Sequence, residues 1–131
     1  MSRLADDELR AAARAARANA YAPYSRFGVG AALRCTDGTV VTACNVENVS
    51  YGLSVCAERA AVFAAVASGH VAFETLAICG PDGSTTPPCG ACRQVLAEFG
   101  VSLRVLYGNR ETTLDALLPE RFSAAPGTTA Q

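Results

Sequence analysis

Three cysteines and one glutamate carry the densest chemical information in this chain of 131 residues. Cys89 and Cys92 form a Cys-x-x-Cys pair, and Cys56 stands two residues before Glu58 in a Cys-Ala-Glu triplet. Thiolates select soft or borderline divalent ions, and three of them leave one corner of a tetrahedral zinc site open to water, the pattern of catalytic zinc. A carboxylate next to such a site, but not a ligand, can take a proton from the activated water and return it to a leaving group. The Cys-x-x-Cys pair alone would also suit a thioredoxin-like redox motif. A fourth donor from Cys35, Cys44, Cys79 or His70 would instead make the metal purely structural. Otherwise Cys35, Cys44 and Cys79 are small buried hydrophobes in strands, and His70, after the helix-ending Gly69, is an exposed cap residue.

For the thiols to meet, the chain must bring residues 56 and 89 to one place. Apolar spacing at Leu9, Ala13, Ala16 and Ala20 predicts a first helix over about 5–20, stopped by Pro23, with Arg10, Arg14 and Arg17 as a solvated, functionless face. Residues 28–33 and 40–44 are apolar runs around Thr36-Asp37-Gly38-Thr39, a hairpin signature. A polar loop, 45–55, leads to a buried helix that opens at Cys56, runs through Ala57, Ala60, Ala61, Phe63, Ala64 and Ala67, and closes at Gly69. A third strand covers 73–79, a Gly/Ser/Thr/Pro loop 80–88, a second helix 89–99 capped by Gly100, and a fourth strand 103–107. Thr112 to Leu114 is a candidate short fifth strand, and Leu117-Leu118-Pro119 a terminal helical turn. Strand, helix, strand, helix, strand with right-handed crossovers places both cysteine-bearing helices on one face, starting side by side at carboxyl ends of strands. The expected fold is α/β, one domain over 1–122 with a small polar tail, disordered over 123–131.

Half the residues are hydrophobic, but 26 are Ala, which suits a soluble globule despite a mean hydropathy of +0.20. No apolar run approaches the ~20 residues of a bilayer span, and Asp6, Asp7 and Glu8 stand where a secretory signal would be basic and then apolar. The expectation is a cytoplasmic protein with no membrane partner, its thiols reduced. A net charge of −1 disfavours a nucleic-acid partner. All 11 basic residues are Arg and none is Lys, which excludes Schiff-base chemistry on lysine.

Cys56-Ala57-Glu58 together with Pro88-Cys89-Gly90-Ala91-Cys92-Arg93-Gln94 resembles the zinc-dependent cytidine deaminases of the small, three-cysteine, homotetrameric kind, whose known signature this is. The resemblance extends from about Tyr21 to Phe122, with Tyr24-Ser25-Arg26-Phe27, Val29-Gly30-Ala31-Ala32, Asn45-Val46-Glu47-Asn48 and Tyr51-Gly52 as further landmarks in family order. It implies a three-layer α-β-α sandwich on a mixed sheet of about five strands. It also implies one zinc per subunit on Cys56, Cys89 and Cys92, and removal of the 4-amino group of cytidine and deoxycytidine in pyrimidine salvage. Glu58 is implied as the proton shuttle to pyrimidine N3 and the leaving ammonia, Asn45 and Glu47 as ligands of the ribose hydroxyls, Phe27 as the pyrimidine's packing partner and Ala57 as a backbone contact. Tyr51 and Phe122 are implied at sites on the borders between subunits of a homotetramer.

Arg59 has an electrostatic reason of its own, since three thiolates leave Zn²⁺ at net −1 and a nearby cation offsets that; the resemblance places it against the sulfurs. Without the motif, Asn45 and Glu47 would be ordinary loop residues and Phe27 and Tyr51 ordinary core aromatics. Two alternatives stand beside this reading: a deaminase of the same fold acting on a blasticidin-type nucleoside antibiotic, and a non-enzymatic zinc or nucleic-acid-binding module. The segment after Tyr107 is shorter than the family's, which leaves the fifth strand open.

Overall fold

Gly30–Cys35 is apolar at every position but Arg34, and this run becomes the fully buried strand β1 at the heart of the sheet. The computed structural model describes residues 3–82 and 84–123; most of the expected C-terminal tail therefore lies outside the described residues. Around β1 the chain places α1 (Arg3–Arg17), β2 (Val40–Cys44), α2 (Ala57–Ala67), β3 (Phe73–Cys79), α3 (Gly90–Ala97), β4 (Arg104–Tyr107), β5 (Arg110–Thr113) and α4 (Leu114–Leu117). The strand order is β2-β1-β3-β4-β5. Only β3 and β4 pair in parallel; β1 runs antiparallel to both β2 and β3, and β5 antiparallel to β4. The connections from β2 to β3 and from β3 to β4 therefore advance the same way, and right-handed crossovers put α2 and α3 on one face.

Alternation along the strands sorts the core into two layers. Ala31, Leu33, Leu76, Ile78 and Val105 face α2 and α3, packing with Ala61, Val62, Ala65 and Leu96. Ala32, Ala77 and Leu106 face the other way, onto Leu9 and Ala13 of α1. The alanines let α1 approach closely: a Cβ on Gly30 would stand 2.0 Å from the carbonyl oxygen of Ala13. Asp6 of α1 is buried against Arg104 of β4 at 2.6 Å, and the guanidinium's hydrogen bonds hold its carboxyl below the usual range. The structure is thus the expected α-β-α sandwich with a mixed five-stranded sheet.

Several boundaries and burials differ from the sequence reading. Helix α1 ends at Arg17, well before Pro23, because Ala18, Asn19 and Ala20 donate to the carbonyls of Ala15, Ala16 and Arg17, tightening the exit into i−3 turns. Of the three arginines expected in solvent only Arg14 is exposed; Arg10 and Arg17 are half-buried and hold the carbonyls of Arg110 and Gly80. Helix α2 is buried on one side only: Ala57, Ala61, Val62 and Ala65 are covered, whereas Phe63, Ala64 and Ala67 are exposed. A helix apolar on all sides does not announce which face its own sheet will cover. The fifth strand exists, at Arg110–Thr113, turned back by Gly108 at φ 58°, a conformation that a type II′ hairpin requires of its first central residue. The last helical turn comes earlier than expected, at Leu114–Leu117. His70 is half-buried and pairs with Asp37 at 3.1 Å, and Cys44 and Cys79 are half-buried, leaving Cys35 as the fully buried strand cysteine.

Candidate active site

The two helices that carry the thiols begin alike. Cys56 (φ −70°, ψ 154°) is the N-cap of α2 and Cys89 (φ −68°, ψ 168°) the N-cap of α3; neither sulfur caps its own helix, so both are available to face each other. Cys92 follows in the first turn of α3, fully buried. Arg93, quoted in the motif but assigned no role there, fixes this corner through bonds to the carbonyls of Pro88 (2.8 Å) and Leu117 (2.9 Å).

The sulfurs of Cys56, Cys89 and Cys92 lie within 4.8 Å of one another, with 3.8 Å between Cys56 and Cys89 and 3.4 Å between Cys89 and Cys92. Sulfurs bound about 2.3 Å from a tetrahedral zinc would sit about 3.8 Å apart, so the donor set fits that ion in both chemistry and spacing. Among the described residues no fourth histidine, cysteine or acid joins the group. Cys35, Cys44, Cys79 and His70, the candidates for closing it, are placed elsewhere.

Charge is arranged to favour a thiolate at Cys56. Hydrogen bonding from Cys92, with Arg59 and Cys89 adding to it against the effect of burial, draws the Cys56 thiol down to about 5. Cys92 is pushed up in return, first because its proton is shared with Cys56 and then because it is buried. The partial positive charge at both helix starts acts in the same sense as Arg59. Arg59 Nη2 donates to Cys56 Sγ at 3.3 Å, which sets a cation against the thiol cluster.

Glu58 is the second residue of α2 and only 4% exposed. Burial pushes its carboxyl up to about 7; its own backbone N–H opposes the rise, the Cys56 thiolate adds to it and Arg59 opposes it. A carboxyl poised near neutrality can both accept and donate a proton, as an acid–base shuttle must.

Asn45 and Glu47, beyond the end of β2, turn toward the segment 24–29. Asn45 Nδ2 donates to the carbonyl of Phe27 at 2.9 Å and its Oδ1 accepts the N–H of Val29 at 2.9 Å. Glu47 Oε1 accepts the N–H groups of Tyr24 (3.0 Å) and Ser25 (3.1 Å), and Oε2 accepts the Ser25 hydroxyl. These bonds, that from Ser25's hydroxyl first, hold the Glu47 carboxyl below its usual range. Phe27 (44% exposed) and Tyr51 (74% exposed) are not core aromatics. Tyr51 meets Tyr24 edge-on, ring centres 6.0 Å apart, and both line an open cavity of about 340 Å³ with Ser25, Glu47 and Ser54. Ala57 is fully buried, and Phe122 is 85% exposed with its carbonyl accepting from Gln94 Nε2 at 3.1 Å. A larger cavity, about 630 Å³, is a groove along α2 and α3 lined by Val62, Phe63, Val66, Val95 and Phe99 among others, apart from the thiols.

Residues 4–108 match the family described as the cytidine and deoxycytidylate deaminase zinc-binding region. The chain is 52% identical to a cytidine deaminase of Mycobacterium tuberculosis, with 87% of this chain and 86% of that one covered. It is 47% identical to one of Sporosarcina psychrophila, covering 89% and 90%. The crystal structure of a cytidine deaminase from Burkholderia pseudomallei superposes with a TM-score of 0.85 at 48% identity, covering 93% of this chain and all of that one.

Proposed function

Because the chain belongs to the cytidine and deoxycytidylate deaminase zinc-binding family, we propose that it converts cytidine and deoxycytidine with water into uridine and deoxyuridine, releasing ammonia, a step of pyrimidine salvage. The observation that carries the reading is a buried carboxyl, Glu58, beside three converging thiols that lack a fourth protein donor among the described residues. Cys56, Cys89 and Cys92 would hold a zinc ion, which would supply Lewis acidity and make water nucleophilic near pH 7. Glu58 takes the proton, passes it to pyrimidine N3 and finally delivers one to the departing amine. Asn45 and Glu47 bind sugar hydroxyls, Phe27 packs on the pyrimidine, and the backbone at Ala57 contacts the base. The test is the ultraviolet absorbance change and ammonia release on adding cytidine to purified protein of known zinc content. Zinc-loaded protein that releases no ammonia from cytidine, deoxycytidine or blasticidin S would be a binding module instead.

Arg59 tunes the thiolates without touching the substrate. Removing its charge leaves the three sulfurs in place but makes the bound ion a poorer Lewis acid. Arg59→Ala therefore keeps most of its zinc while losing activity about tenfold or more, the scale of one charge-assisted hydrogen bond. Parallel loss of metal and turnover, by elemental analysis and rate, would make the residue structural.

The functional unit is a homotetramer with sites at subunit borders, and the cell compartment is the cytoplasm. Two observations support the assembly: the apolar groove along α2 and α3 lies open, and the aromatic side chains of Tyr51 and Phe122 stand out into solvent. A contiguous exposed apolar groove between two helices suits an interaction face. Light scattering on purified protein should return about four times the 13.5 kDa chain mass. A fully active monomer would remove Tyr51 and Phe122 from any shared site. Six unpaired cysteines suit a reducing compartment, and no helix of the described residues is long and apolar enough to cross a membrane.

A further inference from the structure

One hydroxyl joins the residues that would hold the sugar to the residue that would hold the base. Ser25 Oγ donates its single proton to Glu47 Oε2 and accepts the backbone N–H of Phe27 at 3.0 Å. Glu47 Oε1 is filled by the N–H groups of Tyr24 and Ser25, while Asn45 grips Phe27 and Val29 from the other side. A carboxylate offers about four lone-pair positions. Three are taken here, so one acceptor position on Oε2 remains for a ligand, and the Ser25 hydroxyl on the same oxygen helps decide where it points. Between Ser25 and Phe27, Arg26 sits at φ 61°, a left-handed conformation unfavourable to a residue with a Cβ and held by the bonds on either side of it.

We propose that Ser25 is a positioning residue for substrate binding, aiming the free acceptor of Glu47 and the ring of Phe27 as one unit. This rests on the reading that Glu47 and Phe27 hold sugar and base. Ser25 itself is exposed, so its loss acts on alignment more than on folding. Ser25→Ala leaves zinc content and melting temperature unchanged and raises the KM for cytidine about tenfold, with kcat within about threefold, as expected for one charge-assisted bond used in ground-state binding. Cytosine, which has no sugar, loses less. Thr and Val are nearly isosteric and only Thr keeps the hydroxyl, so Ser25→Thr restores KM where Ser25→Val does not. Adding Ser25→Ala to Glu47→Gln raises KM by less than Ser25→Ala does alone, because the share that acts through the carboxylate is already lost and only the share through Phe27 remains. An unchanged KM in Ser25→Ala beside a raised one in Glu47→Gln overturns the positioning role and leaves the sugar site standing. An unchanged KM in Glu47→Gln overturns the sugar site and this proposal with it.

Discussion

Glu58→Gln keeps its zinc and its fold and loses turnover by about a thousandfold or more, the range expected when a positioned acid–base group is removed. Gln matches Glu in size, so the buried pocket at the start of α2, where only 4% of Glu58 is exposed, is neither emptied nor overfilled. The metal is untouched because its donors are sulfurs from Cys56, Cys89 and Cys92 and no carboxylate belongs to that cluster. What changes is proton inventory. Deamination must move one proton from water to the ring and another to the amine, and an amide can neither accept the first nor return the second. Zinc per chain by atomic emission, together with ammonia release under saturating cytidine, measures both halves of the prediction. A variant within tenfold of the native rate would take Glu58 out of the chemistry, and one that lost zinc in parallel would make it a ligand.

The parts of this architecture legible in the sequence are those written in short range. The thiols and Glu58 sit in two tight motifs, and the turn between β1 and β2 announces itself through Asp37, whose side chain accepts the N–H of Thr39 at 2.9 Å. The crossovers that bring Cys56 and Cys89 together follow from element order and handedness alone. What stayed hidden depends on partners far along the chain. Strand β5 reads Arg-Glu-Thr-Thr, and the sequence shows only its end, at Thr112, because an edge strand that covers little of the core has no apolar alternation to mark its start. Arg17 looks solvated on a helical wheel, yet it is claimed by the carbonyl of Gly80. Glu47 is an unremarkable loop residue until the fold returns it to Tyr24 and Ser25, and nothing in the local spacing marks Ser25 as the link between Glu47 and Phe27. Apolar content alone places Phe63 inside α2's buried face, yet it is exposed, since the sheet covers only the side bearing Ala57, Ala61 and Ala65.

Stripping the metal with a chelator abolishes activity while the chain remains folded, and added zinc restores it. Small zinc-finger domains unfold without their ion because they have little other core. This chain buries leucines from every layer of its sandwich, among them Leu9, Leu33, Leu76, Leu96 and Leu106, a core that the ion does not supply. The ion's contribution to stability is then a binding linkage, worth a fall in melting temperature on the order of 10 °C when it is removed. The two exposure classes of ligand sharpen the expectation. Cys89 is exposed, so Cys89→Ala should match the metal-free native protein in stability; Cys92 is fully buried, so Cys92→Ala should fall below it by a further packing loss of about 1 kcal/mol. Both should be inactive. Circular dichroism during thermal unfolding, run beside the deamination assay, reads the two effects separately. Collapse of the fold on chelation would identify a structural zinc, and full activity in metal-free protein would end the case for metal-assisted hydrolysis.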